Sequence, residues 1–225
     1  MEKEGYYEAR TTPGLWKHKW RPIQLCLIVD DFGVEYVWKQ HADHLATILQ
    51  KYHNITEDWE GKKFAGIDSK WDYEKITCRA TMDGYILDLR KKYGHLTPKK
   101  TQYPPHKHGP IDYGATQQIV QPTDTSSPLN EKGIKIVQGI VGGLLYVGIA
   151  FNNKLIVALN AIGAQQTEAT EETADAIEQP LDCVATYPDD GILFRKIDMI
   201  LAGYADPGFL NESKSRSRAG AHTFL

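Results

Sequence analysis

Residues 23–38 read IQLCLIVDDFGVEYVW. Two short apolar runs, 23–29 and 32–38, flank two adjacent aspartates, Asp30 and Asp31, with Gly33 just beyond. Both runs are rich in β-branched and aromatic residues, so the pattern predicts a β-hairpin with the two aspartates at its tip. Successive strand residues point to opposite faces, but at a tight tip that alternation relaxes and both carboxylates can approach one site. Like charges held close repel each other, and a divalent cation relieves the repulsion. Two Mg²⁺ ions at such a site would polarise phosphate oxygens for in-line phosphoryl transfer. The plain alternative is a solvated turn, which Asp favours through local hydrogen bonds.

Working outward, residues 39–52 place His41, Leu45, Ile48, Leu49 and Tyr52 near helical spacing. The stretch KKFAGIDSKWDYEKITCRAT reads strand, turn, strand, with WDYEK as the turn. Residues 83–95 predict a helix with Tyr85, Ile86, Leu89 and Tyr93 on one face, ended by Gly94. Residues 97–130 are dense in Pro, Gly, Thr and Ser and predict a long extended loop. Beyond it three helical patterns follow. The first opens at an Asn130 cap and the third at a Thr170 cap, with Glu171, Glu172 and Thr173 in its first turn. Residues 191–206 and 217–225 return to strand character.

The chain has 225 residues, 41% of them hydrophobic, which suffices for one large domain or two small ones. A net charge of −3 does not advertise a nucleic-acid protein, yet a local basic face can coexist with it. Cys26, Cys78 and Cys183 are far apart without CxxC spacing, which fits reduced core thiols of an intracellular protein better than disulfides or zinc. No apolar run approaches ~20 residues and the charged start lacks an apolar stretch, so neither a membrane span nor a signal peptide is expected.

The motif LIVDDFGVEYV after GLWKHKWRPIQ closely resembles the third polymerase motif of reverse transcriptases from long-terminal-repeat retrotransposons. HADHL, DWEGKKFAGIDSKWDYEK and MDGYILDLRKKYGH, with the following TPKK, YPPHK and YGA, are similar to the stretch after that hairpin in copia-like elements. IVGGLLYVGIAF resembles the family's thumb-to-connection helices, and GYADPGF with SRSRAGAHTFL resembles the first two strands of the attached ribonuclease H domain.

The resemblance implies an α+β chain in four parts. Residues 1–96 are a partial palm, 97–130 an extended loop, 131–188 a helical thumb or connection, and 189–225 the start of a ribonuclease H-like fold. It implies that Asp30 and Asp31 are catalytic and bind Mg²⁺ or Mn²⁺, and that residues around 64–80 form the hairpin steering the primer end. It also places Asp206 as the first metal-binding aspartate of ribonuclease H. The implied reaction is RNA-directed addition of deoxynucleotides to a primer, a nucleotidyltransferase of a retrotransposon Pol polyprotein. An RNA template and DNA primer, or their hybrid, would be the partners, with no membrane, in the cytoplasm or nucleus.

Two departures stand against this. Pro207 and Gly208 follow Asp206, where a proline can disturb a strand. Only 29 residues precede Asp30, too few for the fingers and the palm segment that carry a further aspartate. The expectation is therefore a fragment inactive alone, which a partner chain would have to complete. The rival expectations are a non-catalytic nucleic-acid-binding remnant and a relic without a selected role.

Lys91, Lys92, Lys99, Lys100 and Lys107, interleaved with Tyr93 and Tyr103, suit a phosphate backbone with stacked bases, or simply a solvated helix end. Lys214, Arg216 and Arg218 could touch a hybrid backbone or form a polar turn. His41 with His44, and His106 with His108, have metal-ligand spacing without a third ligand nearby, so surface or capping histidines are the commoner reading. Gly139, Gly142 and Gly143 lack the strand and GK[ST] of a phosphate loop and fit close helix packing.

Overall fold

A computed structural model describes residues 1–107, 124–198, 200–212 and 216–224. Among these the chain is mixed α+β, with five α-helices and three antiparallel sheets. It divides into two compact units, Met1–Lys70 and Trp71–Leu225.

The first unit is a meander of four antiparallel strands in sequential order. They are β1 (Tyr6–Glu8), β2 (Leu15–His18), β3 (Ile23–Ile28) and β4 (Asp31–Tyr36). Ile23 and Leu25 point to one face, as the two-residue period of a strand requires. That face is covered by helix α1 (Lys39–Gln50), whose Leu45, Ile48 and Leu49 join Tyr6, Ile23 and Leu25 in one buried cluster. Burying each such side chain contributes roughly 1.5–3 kcal/mol. Tyr52, counted with the helical face on spacing, lies past the helix end and is exposed. A small hairpin follows, β5 (Lys63–Phe64) and the start of β6 (Ile67–Asp72).

The buried end of this core is polar. The Tyr6 hydroxyl is hydrogen-bonded to His44 Nδ1 at 3.2 Å, and burial pushes its pKa up to about 12. Arg21 donates to His41 Nδ1 at 3.2 Å. His44 is held below its ordinary pKa, first by burial and then by the nearby Arg21 and His18. The unfolded chain therefore takes up this proton at higher pH than the folded chain. The stabilisation is complete above the ordinary value of about 6.5 and is lost as pH falls from there through the lower folded pKa. Urea midpoints are expected to drop between about pH 7.5 and about pH 5.5, and His44→Gln should flatten that dependence.

The second unit is built on helices. They are α2 (Asp83–Lys92), α3 (Glu131–Ala150), α4 (Lys154–Gly163) and α5 (Glu171–Thr186). Gly94, with φ 68, closes α2. Its N–H reaches the Lys91 carbonyl at 3.1 Å and the His95 N–H reaches that of Arg90 at 2.9 Å, a Schellman closure. Asn130 caps α3 by accepting from the Gly133 N–H. Thr170 and Thr173 form a reciprocal capping box on α5. Leu144, Leu155, Leu159, Leu181 and Val184 are among the fully buried side chains of this core. The face of α2 differs from expectation: Ile86, Leu89 and Arg90 are buried, while Tyr85 and Tyr93 are half-buried.

Gly139 and Gly143 form a notch on α3. A Cβ on Gly139 would stand 2.1 Å from the Tyr93 hydroxyl, and one on Gly143 would stand 2.5 Å from Leu89 Cδ1. Their role is the close passage of α2. Among the described residues one helix, α3, is long and apolar enough by length and composition to cross a membrane. It packs on α2, α4 and α5, as a core helix does.

Two strand pairings complete the unit. β7 (Thr77–Thr81) pairs antiparallel with β8 (Gly191–Arg195), more than a hundred residues on. β9 (Ala202–Glu212) and β10 (Arg216–Phe224) form a two-stranded ribbon of their own. The ribbon runs through Pro207, which faces Ala219, so the proline does not break the strand. Either side of a two-strand ribbon is an edge, where a missing N–H is tolerated.

Candidate functional site

The DD hairpin forms as the apolar runs predict, in the register Ile23↔Tyr36 through Ile28↔Asp31. The two aspartates are placed differently from one another. Asp30 lies in the two-residue turn with Val29, whereas Asp31 is the first residue of β4, so only one of them is at the tip proper. Both side chains are exposed.

Asp31 has a structural partner. Its Oδ2 accepts from the Ala65 N–H at 2.9 Å. Ala65 (φ 49) and Gly66 (φ 78) are the two left-handed residues of the turn between β5 and β6. This is the primed turn that suits strand twist. Phe64 lies over Gly33, where a Cβ would come within 3.1 Å of its ring. Asp31 and Gly33 thus seat the second hairpin on β4. Sequence reading missed this contact, because 34 positions separate Asp31 from Ala65.

The tip carries backbone strain. Val29 has φ 57 and is 92% exposed. A β-branched residue in the left-handed region is an outlier that costs of order 1–3 kcal/mol. Val29→Gly is expected to raise the unfolding free energy by about 1 kcal/mol, read from the urea midpoint, because glycine's larger unfolded-state entropy offsets part of the relief.

As ligands, two exposed carboxylates supply the hard oxygen donors that Mg²⁺ and Mn²⁺ take. One of the four oxygens is already engaged by Ala65. Among the described residues no three His, Cys, Asp or Glu side chains come together as a metal group. Asp206 lies in β9 opposite Gly220, exposed, in the second unit. His41 and His44 each point Nδ1 at a different hydrogen-bond partner, Arg21 and Tyr6. His106 is half-buried, while His108 and Lys214 lie outside the described residues, as do 108–123 of the long loop.

The basic cluster is built on the end of α2 and the segment after it. Lys91 and Lys92 end the helix, where their charge complements its dipole; Lys91 also stands 4.0 Å from Asp88. Residues 97–107 contain neither helix nor strand and run along α5. The Gln102 N–H donates to Thr186 Oγ1 at 3.0 Å and Gln179 donates to the Pro104 carbonyl at 3.1 Å. Lys99, Lys100 and Lys107 are left exposed, and so is Tyr103, whose ring lies 5.9 Å from that of Tyr187.

One buried constellation was not anticipated. His95 Nδ1 accepts from Arg90 Nε at 3.2 Å, which leaves Nε2 to donate to Asp182 at 3.0 Å. Arg90 also donates to Thr97. With both ring nitrogens occupied, His95 fastens α2 to α5 and has no lone pair left to act as a base.

No family model, no curated protein and no solved structure matches the chain.

Proposed function

We propose that the chain is a segment of a retrotransposon-type reverse transcriptase. In this reading Asp30 and Asp31 are two of the metal-binding carboxylates of an RNA-directed DNA polymerase. The observation that carries the reading is the hairpin: a DD pair between two apolar strands, one aspartate in a two-residue turn, the other leading the return strand, both exposed. Bound Mg²⁺ or Mn²⁺ would supply charge stabilisation of the transferring phosphoryl group. The chain's own contribution is to hold two carboxylates on one hairpin, with Asp31 oriented by Ala65. The resemblance places a further carboxylate ahead of the hairpin, so the chain alone is not expected to polymerise.

A second reading, a nucleic-acid-binding module, is favoured by the segment 97–107. It is pinned along α5 by Gln102 and Gln179, and it keeps Lys99, Lys100, Tyr103 and Lys107 exposed. Phosphate contacts release counterions, so its affinity would fall steeply with salt.

The test is a template–primer assay. Purified chain is mixed with an RNA template and DNA primer in Mg²⁺ or Mn²⁺, beside Asp30→Asn/Asp31→Asn and Lys99→Ala/Lys100→Ala variants. The expected result is salt-sensitive retention of the hybrid, weakened in the lysine variant, without extension. Extension that disappears in the aspartate variant would overturn the incompleteness and keep the polymerase reading. A folded chain that neither extends nor retains the hybrid at low salt would sink both readings.

A further inference from the structure

We propose that strand β8 is a homodimer seam, pairing antiparallel with β8 of a second copy of this chain. β8 hydrogen-bonds to β7 along one side and, among the described residues, to no strand along the other. An exposed strand edge with apolar side chains is a template for another strand. Here Leu193, Phe194 and Ile197 are all substantially exposed, Phe194 to 54%. A groove of about 430 Å³ runs beside them, lined by Trp71, Tyr73, Ile76, Phe194 and Ile197.

The charge pattern selects the occupant. The segment 189–196 reads DDGILFRK, acidic at one end and basic at the other. In an antiparallel pair, residues facing each other are both hydrogen-bonded or both not, so a strand crossing its own copy must do so about a residue. Crossing about Leu193 places Ile192 opposite the second copy's Phe194 and Asp190 opposite its Lys196. It sets Asp189 diagonal to the second copy's Arg195. Every charge then meets its opposite twice, related by the two-fold, as an isologous contact requires. Asp189 is 82% exposed, with Arg79 at 4.0 Å, and Asp190 already holds Lys154. Among the described residues neither Arg195 nor Lys196 has an ion-pair partner in its own chain. The partner that fits this edge is therefore one that brings acid to the basic end and apolar residues to the middle, and the segment 189–196, β8 with the two aspartates before it and Lys196 after it, has that composition.

Sedimentation equilibrium of the full chain at micromolar concentration tests this. The wild type is expected to be a dimer. Leu193→Lys sets two like charges face to face on the two-fold and should leave a monomer; the site is exposed, so the fold should persist. Asp189→Lys/Asp190→Lys and Arg195→Asp/Lys196→Asp should each be monomeric. An equimolar mixture of those two variants should associate again. A monomeric wild type, or a dimer that survives Leu193→Lys, would overturn the proposal.

Discussion

Leu144→Ala is expected to lower the unfolding free energy by about 3 kcal/mol. Leu144 is fully buried at the middle of α3, the helix that packs on α2, α4 and α5. Truncation removes its transfer free energy and leaves a cavity that three neighbouring helices cannot all collapse into. A denaturant titration should show a lower midpoint with an unchanged slope, because the folded state keeps its extent. Leu144→Met conserves volume and should recover most of the loss. A loss under about 1 kcal/mol would mean that the helical core repacks around the gap.

The second large effect is expected at Gly191. A Cβ there would stand 2.3 Å from the Ala80 carbonyl oxygen and 2.8 Å from Thr81 Cγ2. The first of these is backbone and cannot turn aside as a side-chain tip can. Gly191 pairs with Thr81 at the start of β8, so relief requires the two strands to separate there. Gly191→Ala should therefore cost about 2–3 kcal/mol of stability, the scale of overpacking. Gly142→Ala is the control, since nothing stands within 4 Å of the Cβ it would gain. That change should be neutral or stabilising, because alanine is the better helix former by about 1 kcal/mol.

Local chemistry made much of the fold legible. Asn130, Thr170, Thr173 and Gly94 act on backbone groups within a few residues, and each does what its spacing predicts. The DD hairpin was legible for the same reason: its strands are adjacent and its turn is short. Contacts across long sequence separations were not. Nothing in residues 77–81 announces that they pair with residues 191–195, and nothing in Asp31 announces Ala65. The glycines of α3 pointed to close packing, but Leu89 and Tyr93 as the groups received emerge only once α2 is in place. At the candidate site, the residue types suggested metal chemistry to sequence reading. The structure adds a competing use for one of the two carboxylates.

The β9–β10 ribbon has a consequence in time. One face of it carries Tyr204, His222 and Phe224, with the Phe224 ring stacked on the other two; the opposite face, at Gly203, Ala205, Pro207, Ala219, Ala221 and Thr223, is built of small residues. A two-stranded ribbon on its own is marginal in water. Its amides should therefore open and close independently of the helical core, exchanging their hydrogens with solvent long before those of α3. The same polypeptide would then run two clocks: a slow one set by the burial of Leu144, and a fast one set by three stacked rings.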